Sequence, residues 1–239
     1  MPCTIRVPRR YNAGVKEVAI IMRRLPAACG SIVVAVLVAS ASASAQGLAP
    51  VALPAPVTEG GKPLLQALKE RRSAREFGAE KLSPQVLSNL LWAAWGVNRP
   101  DGRRTAPSAS NKQEIEIYVT LPDGAYLWDA QKNQLAPVAP GDLRGATGTQ
   151  EFAATAAANL VYVADLSKAG RSATDPQQML NVGADAGFIA QNVYLYCASE
   201  GLATVVRASV PKDALAKALK LRDSQVIVLA QSVGYPAKK

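Results

Sequence analysis

Residues 179–199 constrain the fold of this chain more than any other part of the sequence. They have the length of a long helix, and Gly201 follows them as a C-terminal stop. Apolar side chains occupy much of the helical circumference, among them Phe188, Ile189, Val193, Leu195, Tyr196 and Cys197. Other elements have to cover such a helix, so we predict a buried central helix with the domain built around it.

Two shorter helices are predicted before it. Pro63 is placed as the first residue of one of them. The other is marked at both ends, since Ser83 can cap it, Pro84 takes its first position and Gly96 can end it. Their apolar stripes are Leu64, Leu65 and Leu68 in the first helix and Leu87, Leu90, Leu91 and Ala94 in the second.

The strands are shorter and more scattered. Residues 115–120 alternate between apolar and polar side chains, as a β-strand does. Pro122-Asp123-Gly124 then turns the chain into residues 125–128, which predicts a hairpin. Further strands are predicted at residues 160–164, 204–208 and 226–233, with an amphipathic helix at 211–221. Helices and strands alternate without a strict βαβ rhythm, so the predicted fold class is α+β.

The N-terminal region has the order of a secretory signal peptide at residues 22–45. Met22-Arg23-Arg24 precedes an apolar stretch at residues 27–39, and Ala43-Ser44-Ala45 follows it. We therefore expect cleavage before Gln46 and a periplasmic or secreted protein, with a true start at Met22. The stretch is shorter than the roughly 20 residues of a spanning helix, which favours a cleaved peptide over a permanent membrane anchor. The arginine pair leaves both the general and the twin-arginine export routes open.

This leader also carries much of the positive charge. The full sequence has a formal net charge of +9, from 27 basic and 18 acidic residues. Residues 1–45 hold six of the bases and one of the acids, which leaves 21 minus 17, or +4, for the remainder. That balance gives little support to nucleic acid as a partner.

The chain contains no histidine. Nucleophile systems with a histidine base and histidine-ligated zinc are therefore excluded. Cys3 and Cys29 lie in the leader and only Cys197 follows it, so neither a disulfide framework nor a cysteine metal cluster is expected. We predict no metal site.

Residues 46–62 have the composition of an extended linker with little to bury, since they contain Pro50, Pro54, Pro56 and Gly60-Gly61. We therefore divide the chain into residues 1–45 as extension and signal peptide, 46–62 as linker and 63–239 as the folded domain.

Some short motifs are weak. Ser209-Val210-Pro211-Lys212 matches the S-x-x-K motif of penicillin-recognising serine enzymes, but no K-T-G or S-D-N motif follows it. Pro211 is more simply the start of a helix. Gly141, Gly145 and Gly148 fit no nucleotide-binding pattern and predict a loop.

Two segments stand out as candidate binding sites. Residues 71–77, RRSAREF, place three guanidinium groups and a hydroxyl at the end of a helix, a density that suits an oxygen-rich dianion such as phosphate. A solvated basic turn has the same composition and stays an alternative. Residues 107–113, PSASNKQ, are rich in small hydrogen-bonding side chains that can line a polar ligand, although turns share this composition.

Together these segments resemble the nitroreductase superfamily, the flavin-binding α+β homodimers. RRSAREF is similar to that family's R-R-S-x-R-x-F motif, and PSASNKQ to its P-S-x-x-N-x-Q motif, in the expected order. Residues 183–202 are similar to its long central helix. The resemblance covers residues 63–236. It implies a three-layer fold, with a central mixed or antiparallel sheet flanked by helices, in a domain-intertwined homodimer.

The resemblance also implies an FMN site. The phosphate and ribityl chain would be held by Arg71, Arg72, Ser73 and Arg75. The second subunit would contribute Pro107, Ser108, Ala109 and Asn111. Backbone groups near flavin N5 and O4 would come from Arg207, Ala208 and Ser209. Family members commonly add a basic residue after the last strand, where this chain has only Lys238 and Lys239. The arginine-rich loop at residues 98–104 lies outside the family pattern. Two alternatives stay open for it: it shapes the substrate entrance, or it is a solvated loop.

The implied function is that of an FMN-dependent oxidoreductase that transfers hydride through flavin N5 to a small organic acceptor such as a nitro compound, a quinone or oxygen. The flavin carries the chemistry, so no catalytic side chain is expected. NAD(P)H is not expected outside the cytoplasm, so an exported enzyme needs another donor, for example a small organic substrate. A non-catalytic flavin or small-ligand binding module of the same fold is the alternative.

Overall fold

The computed structural model describes residues 47–169 and 175–238. Within them the strands are β1 (Val51–Ala52), β2 (Ile115–Leu121), β3 (Gly124–Asp129), β4 (Gln134–Pro140), β5 (Ala158–Asp165), β6 (Ala203–Arg207) and β7 (Gln225–Gly234). The α-helices are α1 (Leu64–Glu70), α2 (Pro84–Trp95), α3 (Phe152–Thr155), α4 (Leu166–Ala169), α5 (Pro176–Glu200) and α6 (Lys212–Ala218). The predicted signal peptide and Lys239 lie outside the described residues.

One antiparallel sheet organises the fold. Its strand order is β1-β4-β3-β2-β5-β7-β6, so β6 is an edge strand. Alternate side chains of the strands point to opposite faces, and each face has its own hydrophobic cluster. Helices α2 and α5 cover one face, while Leu215 and Leu219, from α6 and the turn after it, pack on the other. The predicted three-layer α+β fold is confirmed.

The central helix is present, and its ends follow the sequence signals. Gly201 closes α5 in the left-handed conformation with φ 71°. The helix packs against α1, α2, β2, β6 and β7. Ile189, Val193 and Cys197 are buried as predicted, and one face of the helix stays open within this chain, where Leu180 is 66% exposed and Phe188 is 47% exposed.

The two shorter helices differ in how they use their apolar stripes. Ser83 caps α2 by accepting a hydrogen bond from Val86 N–H at 3.2 Å, and the α2 stripe is buried as predicted. In α1 the expected stripe faces outward, with Leu65 79% exposed, and Ala67 is the buried residue. The spacing of the leucines predicted the helix correctly but not the side that packs on the core.

The segment before α1 is extended, as expected of a linker, but it lies along the domain. Strand β1 pairs with β4, and Leu53 N–H donates to Asn133 O at 3.0 Å. Leu48 and Leu53 are partly buried against the core, and most of the other described residues of this segment are exposed, as expected of a segment with little to bury. The boundary at residue 63 stays a prediction.

The remaining strands follow the sequence, with one addition. The hairpin of β2 and β3 turns at Pro122 and Asp123, as predicted. Strand β4 was not predicted, because Pro137 and Pro140 interrupt its pattern. In the described residues, no helix combines the length and the apolar character that crossing a membrane requires.

Candidate functional site

The arginine-rich segment, residues 71–75, follows α1 directly and is fixed to both β6 and α5. Ala74 N–H donates to Thr204 O in β6 at 2.9 Å. The hydroxyl groups of Ser73 and Tyr194 form a hydrogen bond of 2.8 Å. A freely solvated turn would lack these tertiary contacts, so the segment is a positioned part of the domain.

Tyr194 is the centre of this arrangement, and sequence reasoning missed it. Its hydroxyl also accepts a hydrogen bond from Val206 N–H at 3.0 Å. The Arg71 guanidinium lies over the tyrosine ring, 5.1 Å from the ring centroid. The signal in the sequence was a single hydroxyl-bearing side chain on the buried side of an apolar helix.

A cleft of about 490 Å³ opens beside the arginine-rich segment, within the range of small-molecule sites. Its wall includes Tyr194, Cys197 and residues 201–204. Its charged lining residues are Lys62, Lys69, Glu70, Arg71 and Arg72. We call it the cationic cleft.

The cationic cleft contains more positively than negatively charged side chains. Lys62 Nζ lies 2.6 Å from Glu70 Oε2, and this hydrogen bond lowers the pKa of the Glu70 carboxyl. Four cationic side chains thus meet one carboxylate. The surplus of positive charge suits an anionic ligand.

The predicted residues of this segment do not all face the cleft. Arg71 and Arg72 line it, and Ser73 is bonded to Tyr194. Arg75 is exposed and is not among the lining residues, and neither is Lys238. Their roles stay predictions.

The end of β6 brings the third predicted group to the same edge of the sheet. Ala208 and Ser209 are exposed, and Ser209 O accepts a hydrogen bond from Thr149 N–H at 3.2 Å. Lys212 is the first residue of α6 and is exposed like Ser209. The S-x-x-K match is therefore part of the approach to a helix, as Pro211 indicated.

Arg207 was selected for its backbone, but its side chain is the unusual feature. The residue is 6% exposed, and its guanidinium donates to Thr147 O at 2.6 Å, Asn159 Oδ1 at 2.7 Å and Ser232 Oγ at 2.9 Å. Burial lowers its pKa to about 10, so the guanidinium remains charged at neutral pH. Gly148 packs so closely on it that a side chain there would collide with Nη1.

The loop at residues 107–111 lies elsewhere, near the first half of α5. Ala109 N–H donates to Asp185 Oδ2 at 2.9 Å. Ser110 and Asn111 have φ of 51° and 53°, and Gln113 has 49°, an unusual concentration of left-handed conformations outside glycine. Such strain persists only where neighbouring contacts hold it, and it is common at ligand sites.

Behind this loop lies a pair of buried carboxyl groups that sequence reasoning did not find. Glu114 is 1% exposed and Asp185 is 2% exposed. Burial, together with the neighbouring Asp185, raises the pKa of Glu114 to about 7. Lys168 opposes that rise through its charge.

The arginine-rich loop at residues 98–104 is partly structural. Arg104 donates to Gln113 Oε1 at 2.9 Å and to Trp95 O at 3.0 Å, and its guanidinium lies 5.4 Å from the Trp95 ring. Arg103 is exposed and paired with Asp101 at 3.0 Å. Arg104 therefore braces the loop at residues 107–113.

Within one chain the two predicted halves of the site are separated along α5. Tyr194 contacts the arginine-rich segment, and Asp185 contacts the loop at residues 107–111. Nine residues of helix correspond to a rise of about 14 Å. In the described residues, no group of three or more acidic or cysteine side chains is placed to hold a metal ion.

Comparison with known proteins identifies the class to which this fold belongs. The model of the nitroreductase family matches residues 68–235. A protein from Methanocaldococcus jannaschii, described as a nitroreductase, is 30% identical over 176 residues, which is 70% of this chain and 88% of that protein.

Two solved structures extend the comparison. One from Ralstonia eutropha, also described as a nitroreductase, is 39% identical with a TM-score of 0.74, over 80% of this chain and 90% of that one. The NADPH:FMN oxidoreductase of Vibrio harveyi shares the fold at 19% identity and a TM-score of 0.56, over 73% and 69% of the two chains. The class is thus that of oxidoreductases with this three-layer fold. The chain belongs to the nitroreductase family.

Proposed function

We propose that this protein is a flavin-dependent oxidoreductase with FMN as its cofactor. The observation that carries the proposal is the cationic cleft, whose wall includes residues 201–204 at the start of β6. A phosphate-bearing ligand needs cationic hydrogen-bond donors, and Arg71 and Arg72 supply them at the cleft. Membership of the nitroreductase family and the fold shared with the NADPH:FMN oxidoreductase of Vibrio harveyi support the choice of FMN.

The residues of this chain fit the cofactor. Arg71, Arg72, Ser73 and Arg75 would hold the phosphate and ribityl chain, and the backbone of residues 207–209 would lie against the ring. FMN, when bound, supplies hydride transfer through N5. Tyr194 positions the arginine-rich segment, and Arg207 positions the end of β6.

A homodimer would complete the site. The loop that carries Ser108 and Asn111 contacts α5 at Asp185, about 14 Å along the helix from Tyr194, so the loop would not join the cationic cleft of its own chain. The open face of α5, with Leu180 and Phe188, and the outward leucines of α1 provide an apolar surface for a partner. Such an interface should bury more than about 2,000 Å². Light scattering that finds only monomer with flavin bound would contradict the two-subunit site.

We further propose that the protein is exported and uses a donor other than NAD(P)H. The support is the leader pattern at residues 22–45, together with the short supply of nicotinamide cofactors outside the cytoplasm. A small organic substrate would deliver hydride, and a quinone or oxygen would accept the electrons. An N-terminus at Gln46 in native protein is expected. Rapid flavin reduction by NADPH would argue against the proposed donor.

The experiment for FMN begins with the visible spectrum of the purified protein. Arg75→Ala and Arg71→Ala should then weaken FMN binding by roughly 10- to 100-fold, since a charge-assisted hydrogen bond contributes about 1.5–3 kcal/mol. Riboflavin lacks the phosphate and should lose much less affinity. Arg103→Ala, which removes an exposed arginine from another loop, is the matched control.

The outcomes separate the alternatives. Equal losses for FMN and riboflavin would mean that the arginines only support the fold. Bound flavin that no donor reduces and no acceptor reoxidises would favour the non-catalytic binding module.

A further inference from the structure

The Arg207 side chain carries a positive charge that no acidic side chain neutralises within residues 47–169 and 175–238. Its guanidinium contacts the neutral acceptors Thr147, Asn159 and Ser232. In the part of the chain that the structure describes, no carboxylate forms an ion pair with it. Burying a charge without a counter-charge is costly, and its hydrogen bonds offset only part of that cost.

An uncharged side chain, Gln150, lies near the Arg207 guanidinium at a position where an acidic residue would neutralise it. Gln150 Oε1 is buried and has no hydrogen-bond partner within the described residues, and the same holds for Arg207 Nε. Gln150 Oε1 and the Arg207 guanidinium both border the point where a side chain on Gly148 would sit. A glutamate at position 150 would have the same shape and would supply the missing negative charge.

The position of Arg207 in the fold indicates a role for its positive charge. It is the last residue of β6, and directly after it come Ala208 and Ser209, the exposed residues whose backbone is assigned to the flavin ring. A hydride brings two electrons and one proton, so a ligand that accepts it becomes more negative by one charge. A buried cation stabilises that charge more strongly than a solvated one, because water screens it less.

We propose that Arg207 is a buried cation that raises the reduction potential of the flavin beside Ala208 and Ser209. The inference rests on the proposed function. Arg207 acts as a positioning and electrostatic residue, since its side chain is covered by Thr147, Asn159 and Ser232 and faces away from α5.

The test is a change of charge that preserves shape. Gln150→Glu should leave oxidised FMN bound but lower the affinity for reduced relative to oxidised FMN about tenfold, a shift of about 30 mV to lower potential for a two-electron couple. Gln131→Glu makes the same change at an exposed turn and should leave the potential near that of the parent protein.

Substitution of the arginine provides a second measurement should Gln150→Glu not fold. Arg207→Met should lower the potential at least as far, and Arg207→Lys, which keeps the charge, should restore most of it. A purely structural role would instead weaken oxidised and reduced FMN equally in both variants.

The results distinguish this inference from the proposed function. If the parent protein binds no flavin, both are overturned. If Gln150→Glu binds FMN at an unchanged potential, or shifts it no more than Gln131→Glu does, the inference alone is overturned.

Discussion

The buried pair of Glu114 and Asp185 makes the stability of this protein depend on pH in a direction that can be worked out. Burial raises the pKa of Glu114 from an ordinary value of 4.5 to about 7 in the folded state. The folded protein therefore holds this proton more tightly than the unfolded chain does. The resulting stabilisation is fully present below about pH 4.5 and is lost as the pH rises through about 7.

The size of this change in stability follows from the shift in the Glu114 pKa. One pKa unit corresponds to 1.36 kcal/mol, so the free energy of unfolding should fall by about 3 kcal/mol across this range through Glu114. Glu114→Gln keeps the shape and can donate an N–H to Asp185 as the protonated acid does. The variant should therefore lack this part of the pH dependence.

Urea unfolding of the purified protein between pH 4 and 8 measures the effect. The difference in unfolding free energy between the parent protein and Glu114→Gln cancels the contributions of other titrating groups. Glu80→Gln removes a carboxylate from an exposed position and serves as the control. Parallel pH profiles for the parent protein and Glu114→Gln would refute the assignment.

Three further predictions concern packing, capping and reactivity. Gly148→Ala places a methyl group against the Arg207 guanidinium and should lower the free energy of unfolding by about 1–3 kcal/mol, measured in urea. Ser83→Ala removes the cap of α2 and should cost about 1 kcal/mol in the same assay. Burial raises the pKa of the Cys197 thiol, so a thiol reagent at pH 8 should label it only after unfolding, and rapid labelling of native protein would contradict this.

The elements that the sequence predicted are those with local signals. The cap at Ser83, the stop at Gly201 and the alternation of residues 115–120 act within a few positions of one another. Strand β4 was missed because its two prolines obscure the alternation, and β1 because two residues carry no pattern. Pairing with neighbouring strands decides both, and that information is not local.

The residues of the candidate site also divide into those with a local sequence signal and those without one. The arginine-rich segment is contiguous, so its composition identified it before its contacts were known. The pair of Glu114 and Asp185 is brought together from distant positions, and neither residue stands in a recognisable pattern. Arg207 shows a third case, because the sequence indicated its strand but not the face to which its side chain points.

A chain without histidine still contains a group that titrates near neutral pH. Burial gives Glu114 that property, since a carboxyl group deprived of water holds its proton to higher pH. The group lies behind the loop at residues 107–111, whereas the cationic cleft lies further along α5. One chain therefore keeps the carboxyl pair of Glu114 and Asp185 apart from its cationic cleft, and the proposed dimer would place the loop of one subunit beside the cationic cleft of the other. The α5 helix sets the separation of Asp185 and Tyr194, and with it the separation of the loop and the cationic cleft. A single apolar segment therefore constrains the site as well as the fold.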